Sequence, residues 1–186
     1  MTILETPIHD LFVLVPKIFE DSGGYFYESY NHSKMTEAGL EFNFVQDNQS
    51  KSNYGVVRGL HYQVNPKAQT KLVRVLEGRI YDVAVDVRKG SPTFGNWFGV
   101  ELSAENKKQL LIPRGFAHGF SVLSETAVVM YKCDELYAPQ FDSGIRFDDP
   151  ELGIDWGIPA DKIIISEKDS KLLTFKEAEN NFSFKG

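Results

Sequence analysis

The stretch KLVRVLEGRIYDVAVDV, residues 71–87, contains two runs rich in valine, leucine and isoleucine that are separated by Glu-Gly-Arg. Each run has the length and the β-branched composition that are typical of a β-strand. Glycine in the separator is a residue that turns favour. The stretch therefore predicts two strands joined by a turn.

Runs of the same kind occur along most of the chain, with Gly, Pro, Asn, Asp and Ser between them. They are LFVLV, GYFYESY, FNFVQD, VVRGLHYQ, NWFGVEL, QLLIP, FAHGFSVL and TAVVMYKC. Helical patterns are limited to NHSKMTEAG and to SEKDSKLLTFKEAE, the second with Ser166 as its N-cap. This spacing predicts an all-β sandwich or barrel rather than β-α-β units. The proline-containing segment 138–160 is expected to be loop-rich and to cover one end of the sandwich.

The size and composition of the chain indicate a globular protein. Its 186 residues predict one domain, residues 1–186, and the 42% hydrophobic and 25% charged contents are close to globular averages. No apolar run approaches the roughly 20 residues that span a bilayer, and MTILETPIHD lacks the basic flank of a signal peptide. We therefore expect a cytoplasmic protein without a membrane partner, which also suits a single cysteine, Cys133.

The charge distribution argues against nucleic-acid binding. The net charge of −6 is spread along the chain, and no basic run offers a contact surface for a phosphate backbone. A few arginine and lysine side chains can still bind a small anion locally.

Strand alternation places ionisable residues among apolar neighbours on four strands, namely Lys71, the two carboxylates Asp82 and Asp86 on one strand face, His118 and Tyr131. Burying such groups singly costs several kcal/mol unless they find partners, so we expect them to meet in one cavity. A cavity within a sandwich is a usual small-molecule site. Taken alone, each residue also fits a structural role, such as a hydrogen-bonded core histidine or a carboxylate on a solvated edge strand.

The stretch GVVRGLHYQ, residues 55–63, predicts an irregular strand. Arg58 and His61 are three residues apart, which in a regular strand sends them to opposite faces. Gly59 between them is compatible with a bulge that aims both side chains into the cavity, or with a glycine that only makes room for a neighbour.

The histidine pattern does not favour a metal. Metal-binding sandwiches of the cupin type use a His-x-His pair, a downstream Glu and a later His. This chain has His61-Tyr62-Gln63 at the matching place, and only His118 resembles the later ligand. We therefore predict a cavity without a metal, suited to acid–base chemistry.

Several motifs together resemble the dTDP-4-dehydrorhamnose 3,5-epimerase family, metal-free members of the cupin superfamily. They are FVQDNQSKS, GVVRGLHYQ, KLVRVLEGRIYDVAVDVRKGSPTFGNW, LSAENKKQLLIPRGFAHGF, YKCDELYAP and GIDW. The resemblance implies a cupin-type jelly roll, a homodimer with strands crossing between subunits, and no cofactor. It also implies inversion of C3 and C5 of dTDP-4-dehydro-6-deoxy-D-glucose through an enolate to give dTDP-4-dehydro-L-rhamnose.

The resemblance assigns roles to individual residues. His61 would be the base, Asp169 its carboxylate partner, Tyr131 the acid on the opposite face, and Lys71 the stabiliser of the oxyanion at C4. Asp82 is the candidate that holds Lys71 in place. Substrate-binding roles fall to further side chains, which are Arg58, His118, Gln46, Asn48, Glu28, Tyr137 and Asp142.

One position departs from the family pattern. Gly23 in DSGGYFYES stands where family members usually have an arginine that reaches the neighbouring subunit's diphosphate. This substitution bears on the identity of the substrate more than on the reaction type. Two alternatives to the family reaction also stay open, namely an epimerase that acts at one carbon or on another nucleotide 4-keto sugar, and a non-catalytic module that binds a nucleotide sugar.

Overall fold

A computed structural model describes residues 1–186, and β-strands dominate it. The first strands are β1 (Thr2–Glu5), β2 (Phe12–Val15), β3 (Phe19–Asp21), β4 (Gly24–Phe26), β5 (Gln46–Asn53), β6 (Val57–Gln63) and β7 (Lys71–Glu77). The others are β8 (Arg79–Asp86), β9 (Trp97–Ser103), β10 (Gln109–Ile112), β11 (Phe116–Val122), β12 (Thr126–Cys133) and β13 (Asp142–Gly144). The helices are α1 (His32–Glu37) and α2 (Glu167–Ser170), with 3-10 turns at Pro139–Phe141 and Ala160–Lys162.

Two antiparallel sheets form a sandwich. The six-stranded sheet has the order β1-β2-β10-β7-β12-β5, and the five-stranded sheet has the order β13-β6-β11-β8-β9. Strands β3 and β4 form a separate hairpin. The prediction of an all-β, cupin-type jelly roll is confirmed. Strands β7 and β8 lie in different sheets, and Gly78 turns the chain between them with φ 74°.

The alternation predicted for β8 is confirmed by the packing. Ile80 and Ala84 lie in the core between the sheets, together with residues of the opposite sheet such as Val73 and Val129. Val83 lies in a second core on the outer face of the five-stranded sheet. Asp82 therefore points into the sandwich.

The closing segment 138–160 lies elsewhere than predicted. Ile145, Leu152 and Trp156 pack in the outer core against the five-stranded sheet, so the segment covers a face of the sandwich and not an end. The physical reason is that β6, β8 and β11 present apolar side chains on both faces, and the outer face needs a cover.

Local signals predicted some boundaries and missed others. The Ser166 side chain caps α2 by accepting from the Asp169 amide at 3.1 Å, as predicted, but the helix ends at Ser170. The run FNFVQD is a strand only from Gln46 onward, and β1, β3 and β13 are strands that were not predicted.

No helix is long and apolar enough to cross a membrane.

Strand β6 contains the predicted irregularity. His61 pairs with His118 and Arg58 with Phe120, so Gly59 and Leu60 lie opposite the single residue Gly119. This bulge turns Leu60 outward and keeps Arg58 and His61 on the inner side, where Arg58 Nε donates to Ser52 Oγ at 2.9 Å. The backbone irregularity thus directs both basic side chains into the sandwich.

We expect Gly59→Ala to lower the free energy of unfolding by more than the about 1–3 kcal/mol typical of backbone strain. Gly59 has φ 118°, and a Cβ there would lie 2.6 Å from Gly119 Cα and 2.7 Å from His118 O. Gly90→Ala is the matched control, because Gly90 also has positive φ but nothing lies within 4 Å of a Cβ. Urea unfolding of both variants measures the difference, and equal losses would contradict the close approach.

Candidate active site

A cleft of about 380 Å³ opens between the two sheets. Its walls come from β5, β7 and β12 of one sheet and from β6 and β13 of the other, with further residues from loops and α2. The lining residues are Gln46, Asn48, His61, Tyr62, Gln63, Gln69, Lys71, Tyr131, Tyr137, Asp142 and Lys168. Most of the predicted site residues therefore meet in one cleft.

His61 and Asp169 form a tight pair at one wall. His61 Nε2 lies 2.6 Å from Asp169 Oδ1, and the second carboxylate oxygen accepts the Gly59 amide at 3.0 Å. Burial alone would raise the pKa of Asp169, but the hydrogen bonds from His61 and the Gly59 amide outweigh it, so the pKa is lowered. An ionised Asp169 only accepts hydrogen bonds, which makes Nε2 the protonated nitrogen of His61.

Tyr131 and Lys71 occupy the opposite wall, on neighbouring strands of the six-stranded sheet. Burial raises the pKa of Tyr131, which favours the protonated phenol. Burial lowers the pKa of Lys71, and the charges of Asp142 and Asp82 only partly oppose that effect. The cleft thus places an imidazole and a phenol on opposing sheets, with an ammonium beside the phenol.

We expect kcat for the reaction in this cleft to fall at alkaline pH as Lys71 loses its proton. The midpoint of this fall should lie below the ordinary lysine pKa of about 10.4. The lowered pKa of Lys71 gives the direction, because the ammonium is lost at a lower pH than in a free lysine. In Lys71→Arg the guanidinium keeps its charge above pH 12, so this alkaline fall should move upward. Tyr131 and Cys133 titrate later, since burial raises both pKa values, that of Cys133 to about 11. Identical profiles of kcat against pH in the two proteins would contradict the role of Lys71.

A chain of side-chain amides holds the loop of Tyr137 at the mouth of the cleft. Gln46 donates to Asn48 Oδ1 at 3.0 Å and accepts the Tyr137 amide at 3.1 Å. Gln63 accepts the Ala138 amide at 2.8 Å. The Tyr137 ring is exposed, so its face is free to stack on a flat ligand.

Two predicted residues lie behind the lining. His118 is buried, and its ring lies edge to face with Tyr131 at a centroid distance of 6.4 Å. Arg58 is held by Ser52 on β5. The expectation that Asp82 holds Lys71 is wrong, because Asp82 Oδ1 lies 2.7 Å from His118 Nε2 and forms no ion pair with Lys71. Strand β8 pairs with β11 directly, and this pairing brings His118 within reach of Asp82.

Glu28 does not reach the cleft within its own chain. It lines a separate cavity of about 80 Å³, where it bonds Lys34 and accepts from Asn31 at 3.0 Å. The hydrogen bonds from Lys34 and Asn31 lower the pKa of Glu28. A direct contact between this Glu28 and a ligand in the same chain's cleft is therefore not supported.

Four lining residues were missed, namely Tyr62, Gln63, Gln69 and Lys168. Gln63 lies two residues after His61, so strand alternation could have placed it on the same face. Lys168 precedes Asp169 in α2, and its Nζ lies 2.6 Å from Asp142 Oδ2. No sequence signal identifies Gln69, which belongs to a loop.

The donor set of the cleft is that of an acid–base site. No group of three or more His, Cys, Asp or Glu side chains is arranged to hold a metal ion. A proton acceptor and a proton donor on opposing walls can act on the two faces of a flat ligand between them.

Comparisons with known proteins agree with this geometry. The profile of the family described as dTDP-4-dehydrorhamnose 3,5-epimerase matches residues 5–177. The protein of that name from Methanothermobacter thermautotrophicus is 51% identical over 175 residues, 94% of each chain. The crystal structure of dTDP-4-dehydrorhamnose 3,5-epimerase from Elizabethkingia anophelis is 55% identical with a TM-score of 0.92, covering 95% of this chain and 97% of that one. A Legionella pneumophila epimerase in complex with dTDP-4-keto-L-rhamnose is 48% identical with a TM-score of 0.91, covering 95% and 93%.

Proposed function

The chain belongs to the dTDP-4-dehydrorhamnose 3,5-epimerase family, and from this membership we propose that it inverts C3 and C5 of dTDP-4-dehydro-6-deoxy-D-glucose. The product would be dTDP-4-dehydro-L-rhamnose. The observation that carries the proposal is that His61, paired with Asp169, and Tyr131 line one cleft from opposite sheets. This is the arrangement that removal of a proton from one face and its return to the other face requires.

The proposed reaction uses the acidity of the carbons beside the C4 ketone. The Nδ1 atom of His61 takes the proton from C3 or C5 while Asp169 stabilises the imidazolium, and the electron pair of the broken C–H bond forms an enolate with its charge on O4. Tyr131 then donates its phenolic proton to the opposite face of the same carbon. Solvent restores the proton of Tyr131 and removes that of His61 before the second carbon reacts.

The cation beside Tyr131 supplies the electrostatic part of the mechanism. Lys71 lines the cleft and is desolvated by burial, and an ammonium in such a position stabilises a developing oxyanion more strongly than in water. Because the charge on O4 is present in the enolate and absent in the ketone, this interaction lowers the barrier and not only the KM.

The substrate's nucleotide would occupy the outer part of the cleft. Tyr137 would stack on the base, while Gln46, Asn48 and Asp142 contact its polar edges, the sugar or the phosphates. Arg58 would provide a fork of donors for the diphosphate. The placement of Gln46, Asn48, Tyr137 and Asp142 along one cleft with the proposed base supports this assignment.

Deuterium exchange in heavy water tests the proposal. Incubation with dTDP-4-dehydro-6-deoxy-D-glucose should place solvent deuterium at both C3 and C5, as read by proton NMR. Exchange at one carbon alone would favour the single-carbon epimerase. Binding of the nucleotide sugar without any exchange would show a non-catalytic binding module instead.

We also propose that the protein is a homodimer built around the β3–β4 hairpin. Phe19, Tyr25 and Phe26 are all exposed there, the last with 67% of its surface accessible, and such a hydrophobic patch favours contact with another protein. A crossing hairpin would also carry the nearby Glu28 toward a partner's cleft. Light scattering should give twice the 21.1 kDa chain mass, and Phe26→Ser should reduce it. A monomeric wild type would overturn the dimer proposal.

A further inference from the structure

The interior of the sandwich contains a second carboxylate–imidazole pair, formed by Asp82 and His118. His118 Nε2 lies 2.7 Å from Asp82 Oδ1, and the Asp82 side chain is fully buried. The other carboxylate oxygen, Oδ2, is buried and has no hydrogen-bond partner. The Asp82 carboxylate therefore lies in the core beside Ile80 and Ala84.

Such a pair is costly for stability alone. A buried carboxylate oxygen without a partner costs about 1–3 kcal/mol or more, and an apolar residue of similar size is often better tolerated in a core. Asp86 on the same strand shows the contrast, because both of its oxygens are bonded, by Arg88, Ser91 and Thr93. Stability alone therefore does not account for a carboxylate at position 82.

The position of His118 supplies a reason for the carboxylate. His118 is the direct cross-strand partner of His61, and its ring packs edge to face against Tyr131. Its Nε2 faces Asp82, while no protein group bonds its Nδ1. An ionised carboxylate accepts only, so Asp82 keeps the imidazole proton on Nε2 and sets the orientation of the ring.

We propose that Asp82 is a positioning residue of the reaction. It holds the His118 ring, which lies between the proposed base His61 and the proposed acid Tyr131, with Nε2 protonated and Nδ1 free for the bound substrate. The inference rests on the proposed function for its catalytic consequence. Asp82 acts through His118 and does not itself touch the reacting carbons.

Asp82→Asn tests the inference, because asparagine has nearly the same shape but lacks the charge. We expect kcat to fall at least about tenfold, as a misoriented imidazole does in other sites, while KM changes less than about threefold. Asp86→Asn is the matched control on the same strand and face, and it should lower the melting temperature without changing kcat per folded molecule. Asp82→Ser, which is smaller and neutral, replaces the asparagine variant if that variant does not fold.

Nitrogen NMR of the His118 ring reports which ring nitrogen carries the proton. This property would not change if Asp82 had only a structural role. The signal is assigned by its loss in His118→Gln, and it should report a proton on Nε2 in the wild type and a changed pattern in Asp82→Asn. A wild-type proton on Nδ1 alone, or an unchanged kcat in folded Asp82→Asn, would overturn the inference. This measurement needs no substrate, so its failure is distinct from an absence of solvent exchange, which would defeat the proposed function.

Discussion

The His61→Asn variant is expected to lose about 10²- to 10⁴-fold in kcat, the range that a positioned general base contributes. Asparagine keeps a polar side chain near Asp169 but cannot take a proton from carbon at neutral pH. Substrate affinity should stay within a few-fold, because the cleft walls formed by Gln46, Asn48 and Tyr137 are unchanged. Initial rates of deuterium incorporation give kcat, and calorimetric titration with the nucleotide sugar gives Kd.

His9→Asn is the matched control for that loss. His9 also lies beside a carboxylate, with Nδ1 2.9 Å from Asp10 Oδ2, but its side chain is 60% exposed and lines no part of the cleft. This control should leave kcat unchanged. A His61→Asn protein that is folded, binds substrate and retains more than a tenth of the wild-type kcat would rule out His61 as the base.

The Tyr131→Phe variant is expected to lose inversion by about 10²- to 10⁴-fold, for loss of a general acid, but to retain solvent exchange. His61 still removes the proton, exchanges it with solvent and returns deuterium to the face from which the proton came. Deuterium should therefore accumulate in substrate of unchanged configuration, which NMR distinguishes from product. Without the hydroxyl, the ring at position 131 still packs against His118, so the free energy of unfolding should change little.

Tyr81→Phe provides the control for the loss of a tyrosine hydroxyl. Burial raises the pKa of Tyr81 as it does that of Tyr131, but Tyr81 packs in the outer core, away from the cleft. It should invert both carbons at the wild-type rate. If Tyr131→Phe inverts the sugar as fast as the wild type, the acid must be another group.

Local patterns predicted the parts of the site that depend on short-range geometry. Alternation in β7, β8, β11 and β12 placed Lys71, Asp82, His118 and Tyr131 on inward faces, because successive side chains of a strand point to opposite sides. The break at Gly59 was visible because a spacing of three residues cannot put Arg58 and His61 on one face of a regular strand. The base and its partner Asp169 came from the family resemblance, since 108 residues separate His61 from Asp169.

Long-range pairing decided what local patterns left open. Asp82 bonds His118 and not Lys71, because β8 pairs with β11 while β7 belongs to the other sheet. Glu28 lies apart from its own chain's cleft, because α1 holds it through Asn31 and Lys34. Which side chains face inward can be read from the amino-acid sequence, since it depends on a period of two along each strand. Which inward side chains become partners depends on strand order and register, and these are set by contacts between segments that are distant in the chain.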